Sequence, residues 1–186
     1  MPTDDTASMV PLSRLLSWML RHEPHTVGLV LDTAGWVDVD AVLEVCRDRG
    51  FVVDRARLVR VVETSDKRRF AISDDGRKIR AVQGHSVPVR LGHPQQDPPP
   101  QLFHGTVERF LDSIRREGLR PGRRHHVHLS ADPTTATAVG ARRGAAVVLV
   151  VHAAAMAEAG HRFYVSPNGV WLTERVPPQF VEFPGA

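Results

Sequence analysis

The chain has 186 residues, of which 42% are hydrophobic and 24% charged, a balance that supports a packed core and excludes wholesale disorder. The formal net charge is +3, the one cysteine (Cys46) excludes an internal disulfide, and no apolar run approaches the roughly 20 residues needed to cross a bilayer. Residues 1–9 carry two Asp and no Lys or Arg, so they lack the basic start of a signal peptide and the expectation is a cytoplasmic protein.

In chain order, residues 12–22 place Leu12, Leu15, Leu16, Met19 and Leu20 on one face at helical spacing. Asp38 is suited to cap a second helix whose apolar face is Ala41, Val42, Val45 and Cys46, with Gly50 at its end. Asp54 is suited to cap a third, with Leu58, Val59 and Val62 inward. The period then changes to that of strands over residues 69–73 and 78–82, joined by the turn Asp74-Asp75-Gly76. Three helices followed by a hairpin is the pattern of a winged-helix lobe, assigned to residues 1–91.

Residues 92–100, Gly-His-Pro-Gln-Gln-Asp-Pro-Pro-Pro, read as a polar, proline-rich linker. The second lobe, residues 101–186, opens with a short strand at Leu102-Phe103-His104. Thr106 then caps a helix that faces Val107, Phe110, Leu111 and Ile114 inward and stops at Gly118. Strands follow at residues 127–130 and 145–152. Between them Asp132-Pro133 starts a helix, with proline at the first helical position. Residues 162–165 and 170–173 flank the turn Ser166-Pro167-Asn168-Gly169 as a second hairpin. The expected class is α+β, with a mostly β second lobe.

Charge is not segregated: residues 1–88 hold 13 Lys+Arg against 13 Asp+Glu, and residues 89–186 hold 11 against 8. The signal lies in residue type and clustering. Of the 24 cations only Lys67 and Lys78 are lysine. Arginine's planar fork grips phosphate in a bidentate way that lysine cannot, although arginine-rich codon usage produces the same bias.

Several groups stand where chemistry is possible, each beside a structural alternative. Arg21 and His22 end the first helix, where a basic pair also complements the helix dipole. Lys67-Arg68-Arg69 enters the hairpin, and strand alternation points Arg68 and Arg69 to different sides. Residues 79–86 carry Arg80, His85 and Ser86 in what is otherwise a strand ending in a polar turn. Phe103-His104-Gly105-Thr106 joins a strand to a helix, where a glycine permits close backbone approach and free N–H groups attract an anion. His126 and His128 share a strand face, but no third ligand accompanies them, so no metal site is expected. Arg142-Arg143-Gly144 is either a helix cap or a pair of anion contacts.

The order of these pieces resembles the tRNA 2′-phosphotransferase family. The resemblance is carried by Leu20-Arg21-His22-Glu23-Pro24, Gly28-Leu29-Val30-Leu31-Asp32, Gly35-Trp36-Val37, Lys67-Arg68-Arg69-Phe70, Ile79-Arg80-Ala81 and Gln83-Gly84-His85-Ser86. It continues through Leu102-Phe103-His104-Gly105-Thr106, His128-Leu129-Ser130, Ala138-Val139-Gly140-Ala141-Arg142 and Asn168-Gly169-Val170-Trp171-Leu172-Thr173, spanning residues 12–183. It implies a winged-helix lobe followed by an ADP-ribosyltransferase-like lobe. It also implies a catalytic set of Arg21, His22, Arg69 and Arg142, with Arg142 chosen over Arg143 because it stands second after Gly140. NAD⁺, consumed as co-substrate, would be bound by His104, Gly105, Thr106, His128 and Ser130. RNA would be bound by Arg68, Arg80, His85 and Ser86. Many ADP-ribosyltransferases carry a catalytic Glu at the third motif. Here that position is apolar, near Val170, and Glu174 is off register.

The implied reaction moves an internal 2′-phosphate of a tRNA-like RNA, as left by splicing, onto NAD⁺. The phosphate attacks the nicotinamide ribose and expels nicotinamide. The adjacent 2″-hydroxyl then attacks phosphorus, giving 2′-hydroxyl RNA and ADP-ribose 1″,2″-cyclic phosphate. A phosphomonoester with a second pKa of about 6 is largely dianionic at neutral pH. The first step therefore asks for positioning and charge balance, which arginines supply and a glutamate would oppose. No metal is required, and a monomer is the default expectation. Two rival readings remain. One is an ADP-ribosyltransferase acting on terminal phosphates of nucleic acid. The other is a winged-helix DNA-binding regulator reading DNA through residues 54–65 with Arg55, Arg57 and Arg60.

Overall fold

The computed structural model describes residues 5–64 and 68–185. Ser65 and Lys67, which belong to two of the sequence motifs, lie outside the described residues. Among the described residues the fold is α+β, with three small antiparallel sheets. Contacts divide it into two compact units, one ending at Gly92 and the other starting at His93.

The first unit opens with α1 (Asp5–Arg21), which runs through Pro11 and so forgoes one backbone hydrogen bond. Of the expected apolar stripe, Leu12, Leu16, Met19 and Leu20 are at most 1% exposed, and Leu15 is partly buried against the same core. The helix stops where Pro24 disfavours continuation, and His22 and Glu23 both donate their backbone N–H to the Trp18 carbonyl. A two-residue strand, β1 (Val37–Asp38), leads into α2 (Val39–Asp48), where the Asp38 side chain accepts from the Asp40 N–H. Asp54 caps α3 (Arg55–Glu63) through the Arg57 N–H. The inward residues of α3 are Leu58 and Val61, not Val59; Val62 is only partly buried. Leu58 and Val61 are one helical turn apart, so they point the same way, and Val59 is rotated off that face.

The hairpin β2 (Phe70–Ile72) and β3 (Lys78–Ala81) pairs as the turn residues imply, with Phe70 opposite Ala81. β1 adds to the free edge of β3. Cys46 lies in this core at 0% exposure, and burial pushes its thiol up to about 11, so it stays protonated and unreactive at neutral pH.

The second unit includes the proline-rich segment, which is not a free tether. The Pro94 carbonyl accepts from Val165 N–H, Gln96 N–H donates to the Phe163 carbonyl, and Gln95 bridges Tyr164. Its first sheet orders β4 (Leu102–Val107), β6 (Ala146–Val151) and β9 (Val181–Glu182), with β6 central. Its second orders β5 (Val127–Leu129), β8 (Trp171–Thr173) and β7 (Phe163–Val165). Three helices, α4 (Leu111–Glu117), α5 (Pro133–Gly140) and α6 (Ala153–Glu158), complete it. Asp132 caps α5 through the Thr135 N–H, with Pro133 at the start, as expected.

Thr106 departs from expectation. It does not cap a helix: β4 continues through it, and Gly105, Thr106 and Val107 pair with Val148, Val147 and Ala146. A six-residue ladder satisfies more backbone than a helix start at Thr106 would, and the chain first makes a 3-10 turn at Glu108–Phe110 before α4 begins.

Candidate functional site

In the first unit the candidate residues converge at the end of α1. The Arg21 carbonyl, one of the helix's last and otherwise unsatisfied acceptors, takes the Ser86 N–H at 2.9 Å and lies 3.4 Å from Ser86 Oγ. The same hydroxyl meets His22 Nδ1 at 3.0 Å, so Ser86 pins both the helix end and the imidazole. Arg21 is 8% exposed; its Nη2 donates to the Arg69 carbonyl at 3.5 Å, and its guanidinium lies 5.9 Å from the Phe70 ring centroid. Both contacts are at the outer limit of their kind. The Arg69 carbonyl also accepts from Val82 N–H at 3.0 Å, which anchors it at the start of β2. Thus three segments far apart in the chain, Arg21-His22, Arg69 through its backbone carbonyl, and Ser86, are tied together.

The other residues assigned to RNA sit differently. Arg68 is exposed, with a left-handed backbone (φ +36°), an unusual conformation for a residue with a side chain. Arg80 stacks on Trp36, 4.5 Å from the ring centroid, and donates to the Ala34 carbonyl at 3.3 Å. His85 is 2% exposed, with Nε2 3.5 Å from where a Cβ on Gly35 would stand. Arg80 and His85 therefore brace the loop at residues 33–36. Two of the three arginines of α3 are similarly engaged within their own unit, Arg55 with Asp40 and the Gly76 carbonyl and Arg57 with the Val52 carbonyl, while Arg60 is exposed.

In the second unit, a backbone pair between Phe103 and Ser130, N–H to carbonyl in both directions at 2.9 and 2.8 Å, ties β4 to the end of β5. It brings His104 beside His128. The partners fix both tautomers. His104 Nδ1 meets the His128 carbonyl at 3.1 Å, and because a carbonyl only accepts, Nδ1 carries the proton. His128 Nδ1 meets Arg124 Nη1 at 3.0 Å, and because arginine only donates, that nitrogen is the acceptor. In the neutral forms Nε2 is therefore the unprotonated nitrogen of His104 and the protonated nitrogen of His128.

Burial, reinforced by the charge of Arg143, pulls the His104 pKa below the ordinary 6.5, and the hydrogen bond to His128 only partly opposes this. The folded protein then binds fewer protons at this site than the unfolded chain. The stabilisation is complete above about pH 6.5 and is lost as pH falls through that value towards the folded one. We expect the melting temperature to fall between about pH 7.5 and pH 5.5, and to fall less in His104→Gln. An equal pH dependence in both proteins, by differential scanning fluorimetry, would remove His104 as the cause. His126 has its pKa lowered by burial in the same sense and contributes to both proteins alike.

Gly105 has a demand on it that strand and motif do not reveal. A Cβ there would lie 1.8 Å from the Ala136 carbonyl oxygen and 2.8 Å from Gly140 N, while a Cβ on Gly140 would lie 2.8 Å from the Thr106 oxygen. The backbones of β4 and α5 touch, and α5 fills the space beside Gly105. Thr106 is 5% exposed in the same contact. This packing carries the chain from α5 into a 3-10 turn, Ala141–Arg143, which presents Arg142 and Arg143 at the surface. Glu174 is exposed and acts electrostatically on His126. Among the described residues no three His, Cys, Asp or Glu side chains gather as a metal cluster.

Arg124 was not singled out in the sequence, because residues 121–126 form a turn region without periodicity. The one available clue is that it precedes His128 within a His-rich strand start.

The sequence model described as "RNA 2'-phosphotransferase, Tpt1 / KptA family" matches residues 7–175. The chain belongs to that family. It is 59% identical over 165 residues to a protein of Agrobacterium fabrum, with 89% of each chain covered. It is 55% identical over 172 residues to one of Burkholderia lata, covering 92% of this chain and 89% of the relative. A Streptomyces coelicolor relative is 54% identical over 175 residues, covering 94% and 95%. All three bear the name "Probable RNA 2'-phosphotransferase". This family member is accordingly a transferase enzyme, and no helix among its described residues is long and apolar enough to cross a membrane.

Proposed function

We propose that this chain removes an internal 2′-phosphate from RNA in an NAD⁺-dependent transfer, releasing nicotinamide and ADP-ribose 1″,2″-cyclic phosphate. The observation that carries the reading is the meeting of Arg21 and His22 with Ser86 at the end of α1, beside the backbone of Arg69. Such a grouping suits a phosphate dianion and would be idle with a neutral substrate. A winged-helix reading of the first unit draws support from three helices preceding a hairpin, and an ADP-ribosyltransferase-like reading of the second from the paired histidines on β4 and β5.

The residues of the second unit fit a dinucleotide. His104 Nε2 and His128 Nε2–H suit ribose hydroxyls, and nearby guanidinium groups suit a pyrophosphate. Bound NAD⁺ would supply the electrophilic ribose carbon and the hydroxyl next to it. The protein's share is to hold the RNA phosphate with Arg21, His22 and Arg69, and to balance charge on phosphorus in the second step with Arg142. Thr106 and Ser130 would join His104 and His128 in holding NAD⁺, and Arg68 would contact RNA phosphates, so RNA binding should weaken as salt rises. Arg80 and His85 would act on RNA by bracing the loop they pack against. The engagement of Arg55 and Arg57 within their own unit disfavours the DNA-regulator alternative.

Nicotinamide release tests the reading. It should require both NAD⁺ and an RNA carrying a 2′-phosphate, one equivalent per phosphate lost; release that is indifferent to the 2′-phosphate would refute it. The Ser86 contacts give a finer check. Ser86→Ala should lower kcat between about 10- and 100-fold, since a displacement of about 1 Å in a catalytic group can cost that much. Ser86→Thr, which keeps the hydroxyl, should recover most of it. An alanine variant with unchanged kcat would mean that the contact to His22 is not used.

A further inference from the structure

We propose that Asp32 is a positioning residue for His22. It closes the loop at residues 32–36, and that loop seats the segment carrying Ser86. The inference rests on the reading above, in which His22 meets the RNA phosphate, and deepens it by naming a side chain that reaches His22 only through Ser86.

The loop is built around one carboxylate oxygen. Asp32 Oδ1 accepts the backbone N–H groups of both Ala34 and Trp36, each at 2.9 Å. The Asp32 N–H donates to the Trp36 carbonyl, and the Asp32 carbonyl accepts from Gly35 N–H, again at 2.9 Å each. This is a side chain closing its own turn, and it needs an acceptor oxygen one atom beyond Cγ. Asparagine supplies that oxygen, alanine has none, and glutamate sets it one carbon too far. Arg80 secures the loop from the sheet side by donating to the Ala34 carbonyl and stacking on Trp36.

The segment at residues 85–91 is laid on this loop at two points. Gly35, in a left-handed conformation (φ +80°), has its backbone against the segment: a Cβ there would lie 3.4 Å from Leu91 Cδ2 and 3.5 Å from His85 Nε2. The Thr33 carbonyl accepts from Arg90 N–H at 2.7 Å. His85 is 2% exposed, so close packing leaves it little room to shift unless the loop shifts too. Ser86 is the next residue. It donates its N–H to the Arg21 carbonyl at 2.9 Å and meets His22 Nδ1 at 3.0 Å. A continuous line of hydrogen bonds and packed contacts thus runs from Asp32 to the imidazole. The ion pair of Asp32 with Lys78 is a lesser part of this. It is 3.5 Å long between side chains 42% and 53% exposed, and pairs of that kind contribute little.

The test uses Asp32→Ala, Asp32→Asn, Asp32→Glu and Lys78→Gln, each with and without Ser86→Ala. Two quantities are read: kcat on an RNA bearing one 2′-phosphate, and the exchange rate of the Ser86 amide by NMR. Asp32→Ala and Asp32→Glu should lower kcat about 10-fold, less than a displacement of about 1 Å in a catalytic group can cost. Both should speed exchange at Ser86, whose N–H bond to Arg21 loosens. Asp32→Asn and Lys78→Gln should match the wild type in both. In the Ser86→Ala background Asp32→Ala should cost nothing further, because the two residues act along one line. Losses that multiply would place the effect of Asp32 elsewhere and overturn the proposal. So would an Asn variant as impaired as the Ala variant, or a Lys78→Gln loss equal to that of Asp32→Ala. If Asp32→Ala fails to fold, the contrast between Asn and Glu carries the test. If the wild-type protein releases no nicotinamide with any 2′-phosphorylated RNA, the proposed function fails, while exchange at Ser86 still decides the link to Asp32. If the protein is active and neither kcat nor exchange separates the variants, the link alone fails.

Discussion

Arg142→Ala is expected to lower turnover of 2′-phosphorylated RNA by on the order of 10²–10³, the scale seen when one preorganised transition-state donor is removed. The loss should fall on kcat, because the proposed role of Arg142 is to balance charge that develops on phosphorus in the second step. Mass spectrometry of the RNA should then reveal molecules that carry ADP-ribose and proceed no further. Arg21→Ala should lose activity on a similar scale for a different reason: with the phosphate poorly held, the first step fails and no such RNA accumulates. Arg21 is 8% exposed within the α1–β2 contact, so its loss also disturbs packing, and circular dichroism must show a folded variant before the kinetics are read. An Arg142→Ala protein that stalls without any modified RNA would contradict the division of labour.

Gly105→Ala is expected to unfold or severely destabilise the second unit. A Cβ at this position would stand 1.8 Å from the Ala136 backbone oxygen, with Ala136 C and Gly140 N within 2.8 Å. No side chain can rotate to make room, since every close atom belongs to the α5 backbone. Overpacking of this kind costs typically 1–3 kcal/mol and more where relief is blocked, so roughly 3 kcal/mol or more is expected. For a unit of this size each kcal/mol lowers the melting temperature by about 4–8 °C. Gly169→Ala, at a position with nothing near its Cβ, is a suitable comparison; it carries only the strain of its positive φ. A Gly105→Ala protein that melts like the wild type would mean that β4 and α5 are not in backbone contact.

The local parts of the fold were readable because their signals are local. Asp38, Asp54 and Asp132 cap the helices they precede, and Asp74-Asp75-Gly76 closes the first hairpin. What escaped depends on partners distant in the chain. β1 is two residues long and exists because β3 has an edge to offer. Thr106 has the chemistry of a cap but follows β6 into a ladder. β9 pairs with β6 only once the end of the chain has returned.

The candidate site divides in the same way. Arg21, His22, Arg69 and Arg142 were reached through motif resemblance, which records outcomes of long-range geometry that composition and spacing do not. That Ser86 reaches His22 across 64 residues, or that Gly105 is required by α5, follows from tertiary contact alone. Arg124 escaped for a related reason. Its turn has no periodicity, and its hydrogen bond to His128 Nδ1 depends on how that turn folds onto the start of β5.

The central claim is that phosphate leaves the RNA 2′-position for NAD⁺, and mass spectrometry of both products reads it directly. The purified protein would be mixed with a short RNA bearing one internal 2′-phosphate, with and without NAD⁺, in EDTA. The account predicts NAD⁺-dependent loss of the phosphate from RNA and matching appearance of ADP-ribose cyclic phosphate. RNA that retains its phosphate while NAD⁺ stays intact would contradict it.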